Sequence, residues 1–257
     1  EPKKHTASKN VKILSENFPV PQLGTTRKIW IYLPEDYQSS QKKYPVIYMH
    51  DGQNLFDDLT SFSGEWKIDE TMDHFFKEGK KQAIIIGIDN GGSERLNEYS
   101  PWENSEYGGG KGDLYADFLA QTLKPYIDKN YRTLSSAKNT GLVGSSMGGL
   151  ISFYTGMKYP EKFGKLGVFS PSFWFAREDL THYISKHSKS LKKTKIYLVA
   201  GRKESEEMVT DIEKITPIPI SKGICRKNIV TKFDDYGTHS ESYWAKEFPA
   251  AYLWLFN

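Results

Sequence analysis

GLVGSSMGGL, residues 141–150, holds four glycines and two adjacent serines between an apolar stretch and the start of a helical pattern. Read as G-x-S-x-G it gives Gly144, Ser145, Ser146, Met147 and Gly148, with Ser146 as the central serine. A strand pattern, TGLVGS (140–145), precedes it and a helical one, MGGLISFYTGMKY (147–159), follows. That setting forces the serine into a sharp, strained strand-to-helix turn. Glycines two residues to either side remove side chains that would collide with the neighbouring strand and helix. The turn lifts the hydroxyl above the sheet, and the helix beginning at Met147 points its amides and positive dipole end at the same place. The motif alone also fits a glycine-rich turn whose serines merely cap a helix. The strand before it and the helix after it favour a nucleophile.

Outward from this turn the chain alternates. RKIWIYLP (27–34), YPVIYMH (44–50), QAIIIGID (82–89), KLGVFS (165–170), KIYLVAG (195–201) and NIVTKFD (228–234) read as further strands. Most are apolar nearly throughout, which demands burial on both faces and hence a mostly parallel sheet covered by helices. Helical patterns fall between them at 66–79, 113–131, 147–159, 177–190, 205–214 and 242–257. The expected fold is α/β, an open, mostly parallel sheet with right-handed crossovers and helices on both faces, opened by one or two antiparallel strands near 11–33. One domain spans 1–257, with 1–10 an extended tail. Two stretches read as long loops, residues 90–113 and TPIPISKG (216–223), and the first is a candidate wall of a binding cleft.

Composition narrows the function. Lys plus Arg number 35 against 32 Asp plus Glu, with no basic stripe, so no nucleic-acid partner is expected. No apolar run approaches the roughly 18 residues of a membrane helix, so no membrane partner is expected. The single cysteine, Cys225, excludes an internal disulfide and a thiolate metal cluster. EPKKHTASKN begins without Met or a hydrophobic signal core. It reads as a mature form after signal removal or as a trimmed chain, with an extracellular or periplasmic location the expectation and a cytoplasmic one the alternative. Oligomeric state is not legible.

A serine nucleophile needs a base and an acid that holds the base in the right tautomer. In this fold the chain order is serine, acid, histidine. Of six histidines, His239, in YGTHSESYW between the last strand and the last helix, occupies the loop where the base belongs. For the acid, Glu204 lies nearest the carboxyl end of KIYLVAG. Glu206 and Glu207 suit a solvated first helical turn, and Asp211, Asp234 and Asp235 are the remaining candidates. An oxyanion hole is expected from the backbone N–H of Met147 and a second donor in HDGQNLFDD (50–58), Gln53 or Gly52, with Gly52 letting the backbone approach the substrate. His50 reads as a hydrogen-bonded structural residue. Neither H-E-x-x-H, nor a His/Asp cluster spaced for a catalytic metal, nor a phosphate-binding G-x-x-x-x-G-K-[ST] occurs, so no cofactor and no metal are expected.

LPEDYQSSQKKYPVIYMHDGQNLFDD, ERLNEYSPW, YGGGKGDLYADFLAQTLKPYIDKNYRT, GSSMGGLISFYTGMKYPEKFGKLGVFSPSFW and GTHSESYW resemble an esterase family of α/β-hydrolases over residues 25–257. That family includes feruloyl and acetyl xylan esterases, enterochelin-type esterases, S-formylglutathione hydrolase and mycolyltransferases. The resemblance implies Ser146 at the nucleophile and His239 at the base. Glu204 in AGRKES is similar to the acidic position of the enterochelin-esterase branch. The implied substrate is a small-molecule or polysaccharide-linked ester, with siderophore hydrolysis, acyl transfer and a non-catalytic binding domain as alternatives. Trp66, Tyr99, Trp102, Tyr107, Phe173, Trp174 and Trp244 lie in segments expected to ring the site, suiting an aromatic or sugar-bearing ester.

Overall fold

A run such as Ile84–Ile88 has no polar face to offer water, so its strand is stable only between two layers. The structure, a computed structural model describing residues 1–257 apart from the side chain of Lys189, meets that demand with one eight-stranded sheet. Its strands are β1 (Val11–Val20), β2 (Thr25–Tyr32), β3 (Val46–His50), β4 (Ile84–Ile88), β5 (Thr140–Ser145), β6 (Lys165–Phe169), β7 (Lys195–Gly201) and β8 (Ile229–Asp234). The spatial order is β1-β2-β4-β3-β5-β6-β7-β8. β2 pairs antiparallel with β1 and β4, and every other pairing is parallel. The expected mostly parallel sheet with an antiparallel opening is therefore present.

Alternate residues of each central strand feed two separate cores. Val46 and Tyr48 of β3, Leu142 of β5 and Leu198 of β7 face one. Ile47, Met49, Val143 and Val199 face the other. Against the first core pack α2, running as Gly112–Phe118, a π-helical turn Leu119–Leu123 and Lys124–Asn130, with α3 (Met147–Lys158), α4 (Arg177–His187) and α5 (Glu206–Ile215). Against the second pack α1 (Ile68–Lys77) and α6 (Glu241–Phe256). No helix is long and apolar enough to cross a membrane.

The strand order reverses between the neighbours β3 and β5, since β3 connects onward to β4 on one side and β5 to β6 on the other. Loops leaving the carboxyl ends of β3 and β5 therefore diverge and leave a crevice between them, the general ligand position of open α/β sheets.

Two expected loops differ from the reading. TPIPISKG contains a short helix, Pro217–Ser221, because Pro217 stands at its first turn, where the missing N–H costs nothing. Residues 90–113 contain a helical turn (Arg95–Glu98) and a small hairpin pairing Glu103–Asn104 with Gly108–Gly109. A buried bidentate pair, Arg27 Nη1 to Glu98 Oε1 at 2.7 Å and Nη2 to Oε2 at 3.0 Å, ties this segment to β2. The N-terminal residues are extended, but they are also fastened to the body. His5 and Thr6 reach Asp57, Thr6 Oγ1 donates to Glu65 and the Ser8 N–H donates to Asp69.

Candidate active site

β5 ends at Ser145, and the chain must reverse at once into α3. Ser146 makes that reversal with φ 61 and ψ −123, a conformation that side-chain-bearing residues rarely adopt. A Cβ at Gly144 would lie 2.5 Å from the Gly148 carbonyl oxygen, so the turn closes only on glycine. The Ser146 N–H donates to the Phe169 carbonyl at 2.9 Å and the Ser172 N–H to the Ser146 carbonyl at 3.0 Å, which clamps the turn against the strand next to β5.

His239 arrives from the loop between β8 and α6. Its Nδ1 lies 2.6 Å from Glu204 Oε1 and its Nε2 lies 3.0 Å from Ser146 Oγ. Glu204 can only accept, so Nδ1 carries the proton and Nε2 presents its lone pair to the serine hydroxyl. The other Glu204 oxygen accepts from the Gly201 N–H at 2.6 Å and from Ser170 Oγ at 2.8 Å, and Trp244 Nε1 donates to Ser170 Oγ at 2.9 Å. The Glu204 side chain is buried while the imidazole is partly open to the cleft.

The other acidic candidates are elsewhere. Glu206 and Glu207 are exposed in the first turn of α5, capped by Ser205. Asp211 pairs with Arg177, Asp234 accepts from the Tyr236 N–H, and Asp235 pairs with Arg202.

The approach of β7 to the His239 loop is extreme. A Cβ on Gly201 would sit 2.0 Å from the Gly237 carbonyl oxygen, backbone against backbone. Only glycine at this crossing brings Glu204 and His239 within hydrogen-bond reach.

On the β3 side, Asp51 takes φ 56 and its buried carboxylate receives Arg95 Nε at 2.8 Å, Arg95 Nη2 at 2.9 Å and Asn90 Nδ2 at 2.7 Å. Burial pushes this carboxyl up, but the Arg95 guanidinium and the Asn90 amide outweigh it and hold it below the usual range. Among the described residues, neither the Met147 nor the Gln53 amide donates to a backbone carbonyl. Gln53 borders the cleft. Gly52 packs against the end of β4. It is buried, and its missing side chain makes room there, since a Cβ would lie 2.9 Å from the Asp89 nitrogen.

A cleft of about 760 Å³ opens over these groups, lined by Asp51, Gln53, Arg95, Ser146, His239 and Trp244 among others. The expected aromatic ring is only partly there. Trp66 is 2% exposed and stacks in the second core against Trp244 and Phe169, so it supports the site from below. Trp102 packs edge-on against Tyr154 and Tyr183, and Tyr99 and Phe173 are fully buried. Tyr107 and Trp174 form an exposed edge-to-face pair at 5.6 Å, with Trp174 two residues beyond Ser172.

Three residues escaped the sequence reading. Ser172 places its Oγ 3.2 Å from Ser146 Oγ, Ser170 holds the acid from a strained φ of 43, and Phe62, 88% exposed, stands at the cleft. FSPSFW (169–174) signalled the first two only through its position after a strand at the sheet's carboxyl edge.

His50 is buried below the turn, with Nδ1 2.9 Å from the Tyr115 hydroxyl. Burial pushes its imidazole down to about 4.

The sequence profile of the family described as "Putative esterase" matches residues 21–255. The chain is 27% identical over 246 residues to "Uncharacterized protein YbbA" of Bacillus subtilis, covering 90% of this chain and 93% of that one. It is 27% identical over 181 residues to the "Endo-1,4-beta-xylanase/feruloyl esterase" of Xylanibacter ruminicola, covering 69% of this chain but only 23% of that protein. The enterobactin esterase of Shigella flexneri superposes with a TM-score of 0.70 at 18% identity, covering 99% of this chain and 61% of that one.

Two outcomes are expected. Gly201→Ala must push the two loops apart, costing about 1–3 kcal/mol of stability and lowering ester hydrolysis about 100-fold, measured by urea unfolding and by kcat. His50 binds its proton more readily unfolded, near 6.5, than folded, so its stability contribution is full above that pH. About 3 kcal/mol is then lost as pH falls from 6.5 to about 4. Urea unfolding across that range should show the loss in the wild type and its reduction in His50→Gln.

Proposed function

We propose, from the premise that this chain belongs to that esterase family and is a carboxylic ester hydrolase, that it works through an acyl-enzyme on Ser146. The hydrogen-bond chain from Ser146 through His239 to Glu204 is the observation that carries this reading. Ser146 Oγ attacks the ester carbonyl carbon as its proton passes to His239 Nε2. Glu204 keeps the imidazole in the accepting tautomer and stabilises the imidazolium that forms.

The Met147 and Gln53 N–H groups donate to the developing oxyanion, at the positive end of α3, each worth about 2.7–4 kcal/mol in such sites. The imidazolium then gives its proton to the leaving alcohol oxygen. Water then attacks the acyl carbon as its proton passes to His239, and the imidazolium returns that proton to Ser146 Oγ as the carboxylic acid leaves.

The substrate we favour is a neutral ester linked to carbohydrate, feruloyl or acetyl. Phe62, exposed at the cleft, and Trp244, which borders it, lie beside hydroxyl- and amide-bearing residues, a surface that suits a sugar or an aromatic acyl group. A strongly anionic iron-catecholate is less well served. Arg95 is the one permanent cation lining the cleft, and Asp51 already neutralises it. An extracellular or periplasmic setting, where polysaccharide esters are met, belongs to the same reading.

Methyl ferulate, acetylated xylan and a catecholate trilactone should be compared as substrates of the wild type, Ser146→Ala, Glu204→Ala and Glu207→Ala. We expect one of the first two to be preferred. Ser146→Ala should lose at least about 10⁴-fold in kcat, Glu204→Ala about 10³–10⁴-fold, and Glu207→Ala no more than about twofold. Equal rates in wild type and Ser146→Ala would end the serine mechanism. Product analysis with an added alcohol separates hydrolysis from acyl transfer.

A further inference from the structure

At the start of α1 three carboxylates converge outside the cleft. Glu65, Asp69 and Glu70 each offer an oxygen, and these oxygens lie within 4.8 Å of one another. Glu65 and Asp69 are buried, and among the described residues no Lys, Arg or His pairs with any of the three. Two unit charges within 4.8 Å of each other repel by at least roughly 3 kcal/mol at an effective dielectric of 20. Something must neutralise it.

The partners that are present fall short. Thr6 Oγ1 donates to Glu65 Oε2 at 2.9 Å and the Ser8 N–H to Asp69 Oδ2 at 2.7 Å, both single neutral donors. A separate observation concerns the deepest member of the cluster. Asp69 is 0% exposed, and its Oδ1 is buried with no hydrogen-bond partner at all. A buried carboxylate oxygen left without a donor costs free energy that native structures rarely bear, and a bound cation removes that cost.

There is also a route in. A cavity of about 780 Å³ between α1 and α6 is lined by Glu65 and Glu70, so the cluster opens to solvent that can complete a coordination shell.

We propose that Glu65, Asp69 and Glu70 bind a divalent cation of the calcium class. The donors are all carboxylate oxygens, with no imidazole or thiolate, which selects a hard ion. Ca²⁺ takes carboxylate oxygens in a flexible geometry, which suits three carboxylates set by the start of one helix, whereas Mg²⁺ demands a near-ideal octahedron.

The ion's role is structural. None of the three residues lines the catalytic cleft. Two of them hold the N-terminal residues through Thr6 and Ser8, and Glu65 immediately precedes Trp66, which stacks beneath Trp244. The ion would fasten the N-terminal segment and the first turn of α1 to the side of the sheet that supports the cleft.

The test uses the full chain freed of metal with a chelator and titrated with Tb³⁺, whose emission is excited through nearby tryptophan. Saturable emission is expected, displaced by Ca²⁺ more readily than by Mg²⁺, and weakened at least tenfold in affinity in Asp69→Asn and in Glu70→Gln. Because Glu70 is exposed, Glu70→Gln should fold and keep its activity on a small ester, which separates loss of the ion from loss of the enzyme. Ca²⁺ should raise the Tm of the wild type and leave that of both variants unchanged. Absence of saturable emission at millimolar Tb³⁺, emission indifferent to both substitutions, or a Tm indifferent to Ca²⁺ would overturn the proposal and leave protons as the neutralising partner. None of these outcomes bears on the serine mechanism.

Discussion

The contact between the Ser146 hydroxyl and the His239 imidazole, 3.0 Å long, depends on three loops leaving the same edge of one sheet and meeting within a side chain's length. Sheet order makes that meeting possible. β5 delivers the serine, β7 the acid and β8 the histidine, and all three strands run parallel, so their carboxyl ends share an edge. The final approach is made by glycines. Gly144 lets the Ser146 turn fold on itself, and Gly201 and Gly237 let the Glu204 and His239 loops touch backbone to backbone.

Strain is concentrated where the chemistry is proposed. Four non-glycine residues take positive φ: Asp51, Lys67, Ser146 and Ser170. Three of them belong to the site: Asp51 in the turn after β3, Ser146, and Ser170, which holds Glu204. Such conformations cost about 1–3 kcal/mol each and persist only when the surroundings over-determine them. Here the surroundings are the Arg95–Asp51 pair, the Phe169 carbonyl that receives the Ser146 N–H, and the Trp244 indole on Ser170. The loop amides and the imidazole are thus held in place before any substrate arrives, which is the arrangement that lowers reorganisation cost in acyl transfer.

The sheet was legible in the sequence because its strands are apolar on both faces and its helices lie between them, so periodicity and chain order sufficed. TGLVGS was read as 140–145 and is the strand Thr140–Ser145. The serine, glutamate and histidine that the structure brings together were legible because chain order in this fold restricts each to one loop. What was not legible depends on contacts between distant residues. Trp66 sits in a segment bordering the cleft, yet it packs inward because Trp244 and Phe169 cover it, a fact of tertiary packing rather than of pattern. Pro217 and Pro219 read as loop residues because proline usually breaks helices, but at the first turn of a short helix proline is tolerated. Gly52 signalled a close approach, and the structure shows one to the end of β4, which the sequence alone does not reveal. Ser170 and Ser172 carry no motif of their own and acquire meaning only when the strand ends are aligned.

The central claim is that Ser146 is a nucleophile made reactive by His239. Exposing the protein to a fluorophosphonate ester and mapping the adduct by peptide mass spectrometry tests it most directly. The account predicts one stoichiometric phosphonyl group on the peptide containing Ser146, formed at least about 10³-fold more slowly in His239→Ala. Modification at another serine, or labelling of Ser146 at an undiminished rate without His239, would contradict it.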